Sequence, residues 1–339
     1  MSGGITQLVA IGAQDAHIVG DPQVSFFRSL YKRHTNFAHV VERQVIQGNP
    51  SRGGISTVRL ERRGDMVGYM YLTCLDSDGD HKPWPPTSPI SKVELLIGGQ
   101  VIDDQDDTFI QSIADPYTVS SVTKANTTPL NFYPFHFFFC ENYQSALPLV
   151  ALQYHDVEIR ITWANGLDLT DKFECYADFI YLDTTERTAM AEGSQDMLVC
   201  QTQKSITPVD SKVHEIQFNH PIKFLASGGR ILTGDDHKLR LQINGVDVGD
   251  SKKYTPHFNV VPRYYHCPYL TDAETLDSFL LPFCLETNKL QPTGSLNFSR
   301  LDSARLVADA NFETDHNIYA VNYNILRIQN GMGGLLYAN

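Results

Sequence analysis

Two stretches of the sequence repeat one another: Lys92-Val-Glu-Leu-Leu-Ile-Gly-Gly-Gln-Val-Ile-Asp-Asp104 and Lys238-Leu-Arg-Leu-Gln-Ile-Asn-Gly-Val-Asp-Val-Gly-Asp250. In each, a Lys opens a run whose apolar residues recur at every second position, a pattern typical of a half-buried β-strand. A Gly-Gly pair in the first and an Asn-Gly pair in the second then predict a reversal of the chain, because both residue types accept positive φ at little cost. The two stretches are therefore predicted to be β-hairpins of one kind.

Two further landmarks recur in the same order along the chain. The pattern Pro148-x-x-x-Leu-Gln-Tyr154 returns as Pro292-x-x-x-Leu-Asn-Phe298, and Tyr176-Ala177 returns as Tyr319-Ala320. A repeat of roughly 150 residues is far too long for a solenoid and fits a whole domain. The three landmarks together predict a duplicated domain.

The length of the chain also favours two domains, since 339 residues exceed the roughly 250–300 that one hydrophobic core usually serves. Hardly any helical periodicity interrupts the strand patterns, which favours antiparallel sandwiches over parallel βαβ units. We expect an N-terminal arm with a short helix in residues 1–36, a first sandwich in 37–200 and a second in 201–339. Residues 193–212 lack a strong period and are predicted to be a linker.

Three segments carry the start signals of helices. Asp21-Pro22 predicts a helix, because Asp caps an N-terminus and Pro suits the first helical position. The acidic run Asp103-Asp-Gln-Asp-Asp107 predicts the first turn of another helix, where the helix dipole favours carboxylates. Asp183-x-x-Glu186 is a capping box and predicts a short helix that ends near Glu192. Residues 250–275, by contrast, are predicted to be irregular.

The formal net charge of −12 argues against a duplex-binding protein, because such a protein needs a cationic footprint. Arg28, Lys32 and Arg33 form the clearest basic cluster of the chain. They suit the solvated C-terminal end of a helix, where cations are favoured, and they also suit a contact with an acidic partner. Both interpretations stand on the sequence.

The cysteines are scattered without a C-x-x-C pair, and several lie in apolar strand-like runs. They are Cys74, Cys140, Cys175, Cys200, Cys267 and Cys284. We expect free thiols from a reducing compartment. The N-terminus shows no signal peptide, and no stretch approaches the ~18 apolar residues of a membrane span. Asn126-Thr-Thr128 is an acceptor pattern for an N-linked glycan, although a protein from a reducing compartment normally escapes that modification.

No catalytic motif is present in the sequence. It contains no G-x-S-x-G elbow, P-loop, dinucleotide fingerprint or H-E-x-x-H pair, so we expect no catalytic residue, metal ion or cofactor. Asp76, Asp78 and Asp80 alternate as calcium ligands do, but Gly79 and Thr87 do not fit the EF-hand pattern. A carbohydrate-active sandwich stays open as an alternative, because the spacing of a catalytic carboxylate pair is three-dimensional.

Several stretches along the whole chain are similar to the signature segments of one family. They are Gly12-Ala-Gln-Asp15, Asp21-Pro-Gln-Val-Ser-Phe-Phe27, Tyr31-Lys-Arg-His-Thr-Asn-Phe37, Leu147-Pro-Leu-Val-Ala-Leu-Gln-Tyr-His-Asp156, Gln291-Pro-Thr-Gly294, Asn297-Phe-Ser-Arg-Leu-Asp302, and Tyr319 to Asn339. Through them the chain resembles the major capsid proteins of nucleocytoplasmic large DNA viruses, such as those that infect algae and amoebae.

The resemblance implies an all-β fold of two consecutive antiparallel eight-stranded jelly-roll β-sandwiches with a few short helices. It implies a viral major capsid protein, not an enzyme, whose homotrimers form the pseudo-hexagonal capsomers of an icosahedral shell. Three chains with two similar sandwiches each give six sandwiches in a ring, if the first sandwich of one chain meets the second of its neighbour.

The implied partners are other copies of the chain, minor capsid proteins and the inner membrane, with no direct contact to nucleic acid. The basic cluster would face the minor capsid proteins or anionic lipids on the inner side of the shell. The implied location is the virion capsid, after synthesis in the host cytoplasm at the virus factory. We expect the loops at 76–89, 114–131 and 250–275 on the outer surface and in contacts between capsomers.

The chain is short for this family, which predicts trimmed loops and a low outer tower. Two alternatives stay open: a β-sandwich carbohydrate- or receptor-binding module, and a double-jelly-roll assembly scaffold that is later discarded. A sugar-binding monomer in gel filtration would indicate the first alternative, and absence from purified particles would indicate the second.

Overall fold

The computed structural model describes four ranges of the chain: 12–85, 87–118, 131–266 and 278–337. The glycan acceptor Asn126 and the thiol of Cys267 lie outside them. The chain divides into two compact units, residues 1–36 and residues 37–339.

In the first unit, one turn of helix, α1 (Ala16–Val19), ends at Gly20. The helix predicted to start at Asp21 is absent from residues 21–36, so this prediction is wrong. The φ of Asp21 is 47°, which is left-handed, whereas the N-cap of a helix needs extended backbone. The basic cluster therefore does not lie at the end of a helix.

The second unit opens with strands that pair antiparallel in two sheets. They are β1 (Phe37–Gln44), β2 (Ile46–Gln47), β3 (Ile55–Arg59), β4 (Met66–Leu75), β5 (His81–Lys82), β6 (Ile90–Ile97), β7 (Gln100–Asp106), β8 (Phe132–Pro134), β9 (Leu147–Pro148), β10 (Val157–Trp163) and β11 (Lys172–Leu182). Sheet A has the order β1-β11-β4-β5, and β8 and β9 also pair with β4. Sheet B has the order β2-β3-β10-β6-β7.

The rest of the unit forms two more antiparallel sheets. Their strands are β12 (Gln195–Ser205), β13 (Val213–Ile216), β14 (Pro221–Ser227), β15 (Lys238–Ile243), β16 (Val246–Lys253), β17 (Leu280–Pro282), β18 (Leu296–Asn297), β19 (Ala304–Ala308), β20 (Ile318–Gln329) and β21 (Met332–Leu335). Sheet C has the order β12-β20-β14-β17, with β18 on β14 and β21 on β20. Sheet D has the order β13-β19-β15-β16.

The helices between the strands are short. They are α2 (Asp107–Phe109), a π-helical turn (Ile110–Ala114), α3 (Asp115–Tyr117), α4 (Phe138–Glu141), α5 (Thr184–Glu192), α6 (Tyr254–His257), α7 (Val260–His266), and 3₁₀ turns at Tyr143–Ser145, Leu149–Ala151 and Phe298–Arg300. The helix predicted from the capping box is confirmed as α5, where the Asp183 side chain accepts a bond from the Thr184 N–H. The irregular stretch predicted at 250–275 is wrong where the structure describes it, because β16 runs to Lys253 and α6 and α7 follow.

The two halves of the second unit have the same topology. Strands β1, β11 and β4 of sheet A correspond in order to β12, β20 and β14 of sheet C, and β3-β10-β6-β7 corresponds to β13-β19-β15-β16. Each half is a jelly-roll sandwich of two packed antiparallel sheets. The predicted fold class is confirmed, and the hairpins β6–β7 and β15–β16 occupy the same edge of sheets B and D.

The turns of the two hairpins also agree. Gly98 and Gly99 have φ values of 59° and 82°, and Asn244 and Gly245 have 49° and 79°. Two consecutive positive φ values are typical of the tight hairpin turn that matches the twist of its strands. The prediction that residues 92–104 and 238–250 form β-hairpins of one kind is therefore confirmed.

The Tyr-Ala landmark is confirmed by strand register. Ala177 lies opposite Met70, and Ala320 lies opposite Leu225. In both sheets the register shifts just after this pair, so the irregularity is duplicated as well.

The predicted equivalence of the patterns that begin at Pro148 and Pro292 is wrong by a few residues. Leu147 of β9 lies opposite Val67, and Leu296 of β18 lies opposite Ile222, which is the position that corresponds to Val67. The equivalent of Leu147 is therefore Leu296, whereas the matched patterns had paired Leu296 with Leu152. The short strand and the 3₁₀ turn after it are conserved between the halves, but the proline is not.

The linker predicted at 193–212 is wrong, because it contains β12, which pairs with β20 along its whole length. The sequence hides this strand because its buried positions include Gln201, which is 2% exposed. The Gln201 side chain donates a hydrogen bond to the backbone carbonyl of Ile102. A polar contact with the other half of the chain replaces the apolar alternation that sequence patterns detect.

The helix start predicted for the acidic run is wrong for Asp103 to Asp106, which belong to strand β7. The hairpin with β6 holds them there, and Lys92 forms an ion pair across it with Asp104, at 2.7 Å. Asp107 alone begins the helical segment 107–117, and the Asp106 side chain caps it by accepting a bond from the Phe109 N–H at 2.9 Å.

Candidate interaction surfaces

Strand β7 and the helical segment 107–117 of the first sandwich lie against sheet C of the second. We call this contact the junction. The main hydrophobic core runs through the junction, since it includes Ile102 and Phe109 of the first sandwich together with Phe224 and Val321 of the second. The sandwiches are therefore joined by continuous apolar packing rather than by a linker alone.

Asp106 is the polar centre of the junction. The Tyr319 hydroxyl donates to both oxygens of the Asp106 carboxylate, at 2.9 and 2.8 Å. Lys204 Nζ lies 2.6 Å from the same carboxylate and 5.7 Å from the centre of the Tyr319 ring. Burial and the nearby Asp106 charge raise the pKa of Tyr319 far above its usual value, so the phenol stays a donor.

A second carboxylate, Asp103, lies deeper in the junction. It accepts bonds from the Thr202 N–H at 2.8 Å and from Gln105 Nε2 at 2.7 Å. Burial raises the pKa of Asp103 to about 7, although both hydrogen bonds oppose that shift. A cavity of about 50 Å³ beside it is also lined by His136 and Lys223.

Aromatic rings complete the contact. Phe109 packs on Tyr319 with 5.7 Å between ring centres, and Tyr117 packs edge-on against Phe224 at 6.3 Å. The Tyr117 hydroxyl lies 2.5 Å from Ser278 Oγ. The helical segment 107–117 is therefore held between both sandwiches.

The helical segment comes very close to sheet C at Gly228. A Cβ atom at this position would lie 2.9 Å from Thr108 Cγ2 and 3.1 Å from Ser112 Cβ. Such distances are shorter than carbon–carbon contacts allow, so glycine and small helix residues are needed together. The small side chains on both sides determine how closely the sandwiches pack.

The C-terminal hairpin β20–β21 forms a second contact between the sandwiches. The Tyr154 N–H donates to the Gly331 carbonyl at 2.9 Å, and His155 Nδ1 lies 2.9 Å from the Gly333 carbonyl oxygen. A Cβ atom at Gly333 would lie 2.7 Å from Leu152 Cδ2. The glycines near the end of the sequence thus allow the first sandwich to approach the last strand.

His136 is a buried charged group near the junction. Its Nδ1 lies 2.8 Å from Glu141 and its Nε2 lies 3.4 Å from Asp115. Burial lowers the pKa of His136, but the two carboxylates outweigh burial and raise it to about 9. The imidazolium therefore stabilises the fold below its ordinary pKa, and this stabilisation is lost as the pH rises through 9.

In the described ranges, the strands that correspond to those of the junction are exposed. β7 buries Ile102, Asp103 and Gln105, whereas its counterpart β16 is exposed at nearly every residue. β12 is partly covered, whereas its counterpart β1 exposes Val40 and Val41. Each strand of the junction thus has an exposed counterpart in the other sandwich of the same chain.

An aromatic groove lies on the outer face of sheet A. Tyr71 stacks on Tyr176 with 5.4 Å between ring centres, and Tyr69 and Phe132 flank it at 6.4 and 5.7 Å. Tyr69, Tyr71 and Phe132 border an open cavity of about 640 Å³, which is also lined by Lys82. No sequence pattern above predicts this groove, although apolar residues on both faces of β4 indicate that both faces meet other surfaces.

The residues singled out from the sequence are not brought together. Arg28, Lys32 and Arg33 are exposed in the first compact unit, and Asn126 lies outside the described ranges. Asp76 accepts bonds from the N–H groups of Asp78, Gly79 and Asp80 in a tight turn. In the described ranges, no three side chains among His, Cys, Asp and Glu are placed to hold a metal ion, and none of the helices is long and apolar enough to cross a membrane.

This architecture defines a double jelly-roll protein in which, within the described ranges, the two sandwiches meet at the junction and the counterpart strands β16 and β1 are exposed. Residues 25–183 match the family model "Major capsid protein N-terminus", and residues 235–334 match "Large eukaryotic DNA virus major capsid protein". The major capsid protein of Pyramimonas orientalis virus is 33% identical over 399 aligned residues, and that of Paramecium bursaria Chlorella virus 1 is 30% identical over 441, with both chains fully covered in each case.

Solved structures agree with these matches. A capsid protein chain of the PBCV-1 virus capsid superposes with a TM-score of 0.76 at 25% identity, over 93% of this chain and 100% of that one. The Faustovirus major capsid protein shares the fold, with a TM-score of 0.68 at 10% identity, over 94% of each chain.

The chain belongs to the major capsid protein family of large eukaryotic DNA viruses, which confirms the resemblance in its sequence. It is a structural component of the virion capsid. The alignments are longer than its 339 residues, so both relatives carry insertions that this chain lacks.

Removing the Tyr319 hydroxyl tests the junction. Tyr319→Phe leaves Asp106 partly buried with one donor fewer, so the free energy of unfolding should fall by about 1.5–3 kcal/mol. Urea titration measures the change, and Tyr143→Phe, at an exposed ring, serves as the control. Equal losses in the two variants would contradict the role assigned to Asp106.

The ion pairs of His136 predict a loss of stability in alkali. Between pH 7 and 9.5 the free energy of unfolding should fall by about 2 kcal/mol or more, because the folded chain holds a proton that the unfolded chain has released. His136→Gln should flatten this part of the pH profile, while His81→Gln, at an exposed position, should not. Parallel profiles for His136→Gln and the parent chain would contradict the assignment.

Proposed function

We propose that three copies of this chain close into a ring of six sandwiches, which serves as a pseudo-hexagonal capsomer of an icosahedral shell. The observation that carries the proposal is the junction within the chain, together with the exposure of β16 and β1, the counterparts of its two strands in the described ranges. In the ring, β16 and the helices after it meet β1 and sheet A of the next copy, in the way that β7 meets β12 within one chain.

The exposed surfaces of β16 and β1 carry the apolar side chains that this contact requires. Val246 and Val248 on β16 are 69% and 53% exposed, and β16 pairs with β15 alone among the described strands. On the other side, Val40 and Val41 of β1 are 48% and 36% exposed. Exposed apolar side chains on two different patches suit a head-to-tail contact, which generates a ring when its rotation closes.

We propose the division into an arm and two jelly rolls that was predicted from the sequence, with one change. The boundary between the jelly rolls falls between α5 and β12, because β12 pairs with β20 throughout. The arm comprises residues 1–36, in agreement with the first compact unit.

We assign the chain a structural role without enzymatic activity, and synthesis in the reducing host cytoplasm. The displaced pKa values of Asp103 and His136 support the first point, since both groups lie inside the packed chain and are held by internal bonds. The cysteines support the second. Cys74, Cys175 and Cys284 are buried and unpaired, and burial raises their pKa, to about 11 for Cys74, which keeps them unreactive.

The basic cluster is proposed to contact an acidic surface on the inner side of the shell, a minor capsid protein in the first place. Arg28, Lys32 and Arg33 are exposed, and Phe27 and Tyr31 beside them are exposed too. Cations interleaved with aromatic rings suit a protein surface that offers both carboxylates and apolar area.

Native mass spectrometry of the purified chain tests the ring. We expect a species of three times 38.1 kDa, and we expect Val246→Asp/Val248→Asp to yield monomers, because it places charges in the apolar contact. Ile206→Asp/Val209→Asp alters equally exposed residues outside both surfaces and should keep the trimer. A parent chain that stays monomeric at micromolar concentration would refute the proposal.

Charge reversal tests the basic cluster. Arg28→Glu/Lys32→Glu/Arg33→Glu should abolish assembly of shells in infected cells while leaving the trimer intact, because none of the three residues belongs to the strands of the proposed contact. Lys212→Glu, at another exposed cation, is the control. Normal shells from the triple variant would dismiss the contact, and binding of the parent arm to anionic vesicles alone would transfer it from a protein to the membrane.

A further inference from the structure

We propose that the aromatic groove on sheet A receives helix α7 of the neighbouring copy, with Tyr264 and Tyr265 inserted over Tyr69, Tyr71 and Tyr176. This inference rests on the proposed ring and adds the contact that determines its strength. The occupant is a second copy of this chain.

The groove corresponds to a surface that is covered within the chain. Tyr71 lies opposite Tyr176 in sheet A, and Ala226 lies opposite Tyr319 at the same register in sheet C. On sheet C, Phe109 of the helical segment 107–117 covers Tyr319. On sheet A, the equivalent Tyr176 stacks on Tyr71 of the groove, and no described residue of a corresponding helix covers it.

Helix α7 belongs to the segment that corresponds to 107–117. Both segments begin directly after the second strand of the duplicated hairpin, at Asp107 and at Tyr254. The first is buried between two sandwiches, whereas α7 leaves Tyr264 and Tyr265 79% and 72% exposed, with their rings 5.0 Å apart. Two large aromatic side chains exposed together on a short helix indicate a missing contact surface.

The sizes of the side chains agree with this pairing. In the filled junction Gly228 meets the small residues Thr108 and Ser112. In sheet A the position of Gly228 is taken by Thr73, so a helix cannot approach as closely. The tyrosines of α7 are larger than Thr108 and Ser112, and the groove leaves a wider gap than the junction does. A wider gap needs larger side chains to fill it, so the two differences compensate for each other.

The charge at the end of the strand is exchanged between the two halves. Asp106 ends β7 opposite Lys92, and Lys253 ends β16 opposite Lys238. Asp106 binds a tyrosine and a lysine of sheet C, whereas Lys253, which pairs with Asp236 in its own chain, would meet Tyr176 and the Glu174–Arg43 pair of sheet A. Glu174 already accepts a bond from the Tyr176 hydroxyl at 2.8 Å. An acid on the helix side is thus replaced by an acid on the sheet side.

The dissociation constant of the trimer, measured by mass photometry over a dilution series, tests the contact. Tyr264→Ala/Tyr265→Ala should raise it by about 30-fold or more, as for aromatic residues at the centre of an interface. Leu169→Ala, at an exposed residue on a different loop, should leave it within about 2-fold. Circular dichroism of each monomer confirms that the variants are folded.

The exchanged charges give a second and more specific test. Lys253→Glu and Glu174→Lys should each weaken the trimer about 10-fold, and the double variant should recover most of that loss, because only a direct pair is restored by exchange. Failure of rescue together with no effect of the tyrosine variants would overturn this contact while the trimer itself persisted. A parent chain without any trimer would instead overturn the proposed ring.

Discussion

The carboxylate of Asp106 is the interaction on which the arrangement of the two sandwiches depends. It ends strand β7, caps the helical segment that follows and accepts the Tyr319 hydroxyl from the other sandwich. A partly buried charge of this kind is tolerated because each oxygen has donors, and removing one leaves an unpaired charge at a cost of about 3–5 kcal/mol in fully buried cases. One side chain therefore fixes the hairpin, the helix and the facing sheet in a single geometry.

The duplication shows how the same scaffold can have two different surfaces. Tyr319 and Tyr176 hold equivalent positions, and Lys204 and Arg43 lie opposite them in β12 and β1. In the second sandwich these residues are covered by the first sandwich of the same chain. In the first sandwich they face outward, and Arg43 pairs with Glu174 at 2.6 Å instead. The fold is preserved by strand register and apolar alternation, while the charges at the rim have diverged.

The sequence predicts those elements whose signals are local. The hairpins at Lys92 and Lys238 follow from alternation and turn chemistry, and helix α5 follows from its cap. β12 escapes detection because its inward Gln201 is satisfied by a carbonyl of the other sandwich, a partner that no local pattern can indicate. The acidic run predicts a helix start because four carboxylates suit a helix dipole, yet cross-strand pairing with Lys92 outweighs that preference. No local pattern indicates the junction for the same reason, since Asp106 and Tyr319 are far apart in sequence and meet only after folding.

Joining two sandwiches in one chain makes half of the contacts in the proposed ring intramolecular. Three of its six contacts form within chains, where the effective concentration of the partner is of the order of millimolar or higher. The other three must then be made by exposed surface, and an exposed edge such as β16 risks uncontrolled strand pairing. The sequence of this edge limits the risk, because Asp247, Asp250 and Lys252 place charges along it and the register with β15 shifts between Leu239 and Leu241. Such an edge suits association through side chains, which is directional and closes a ring, and it opposes strand addition, which would extend without limit.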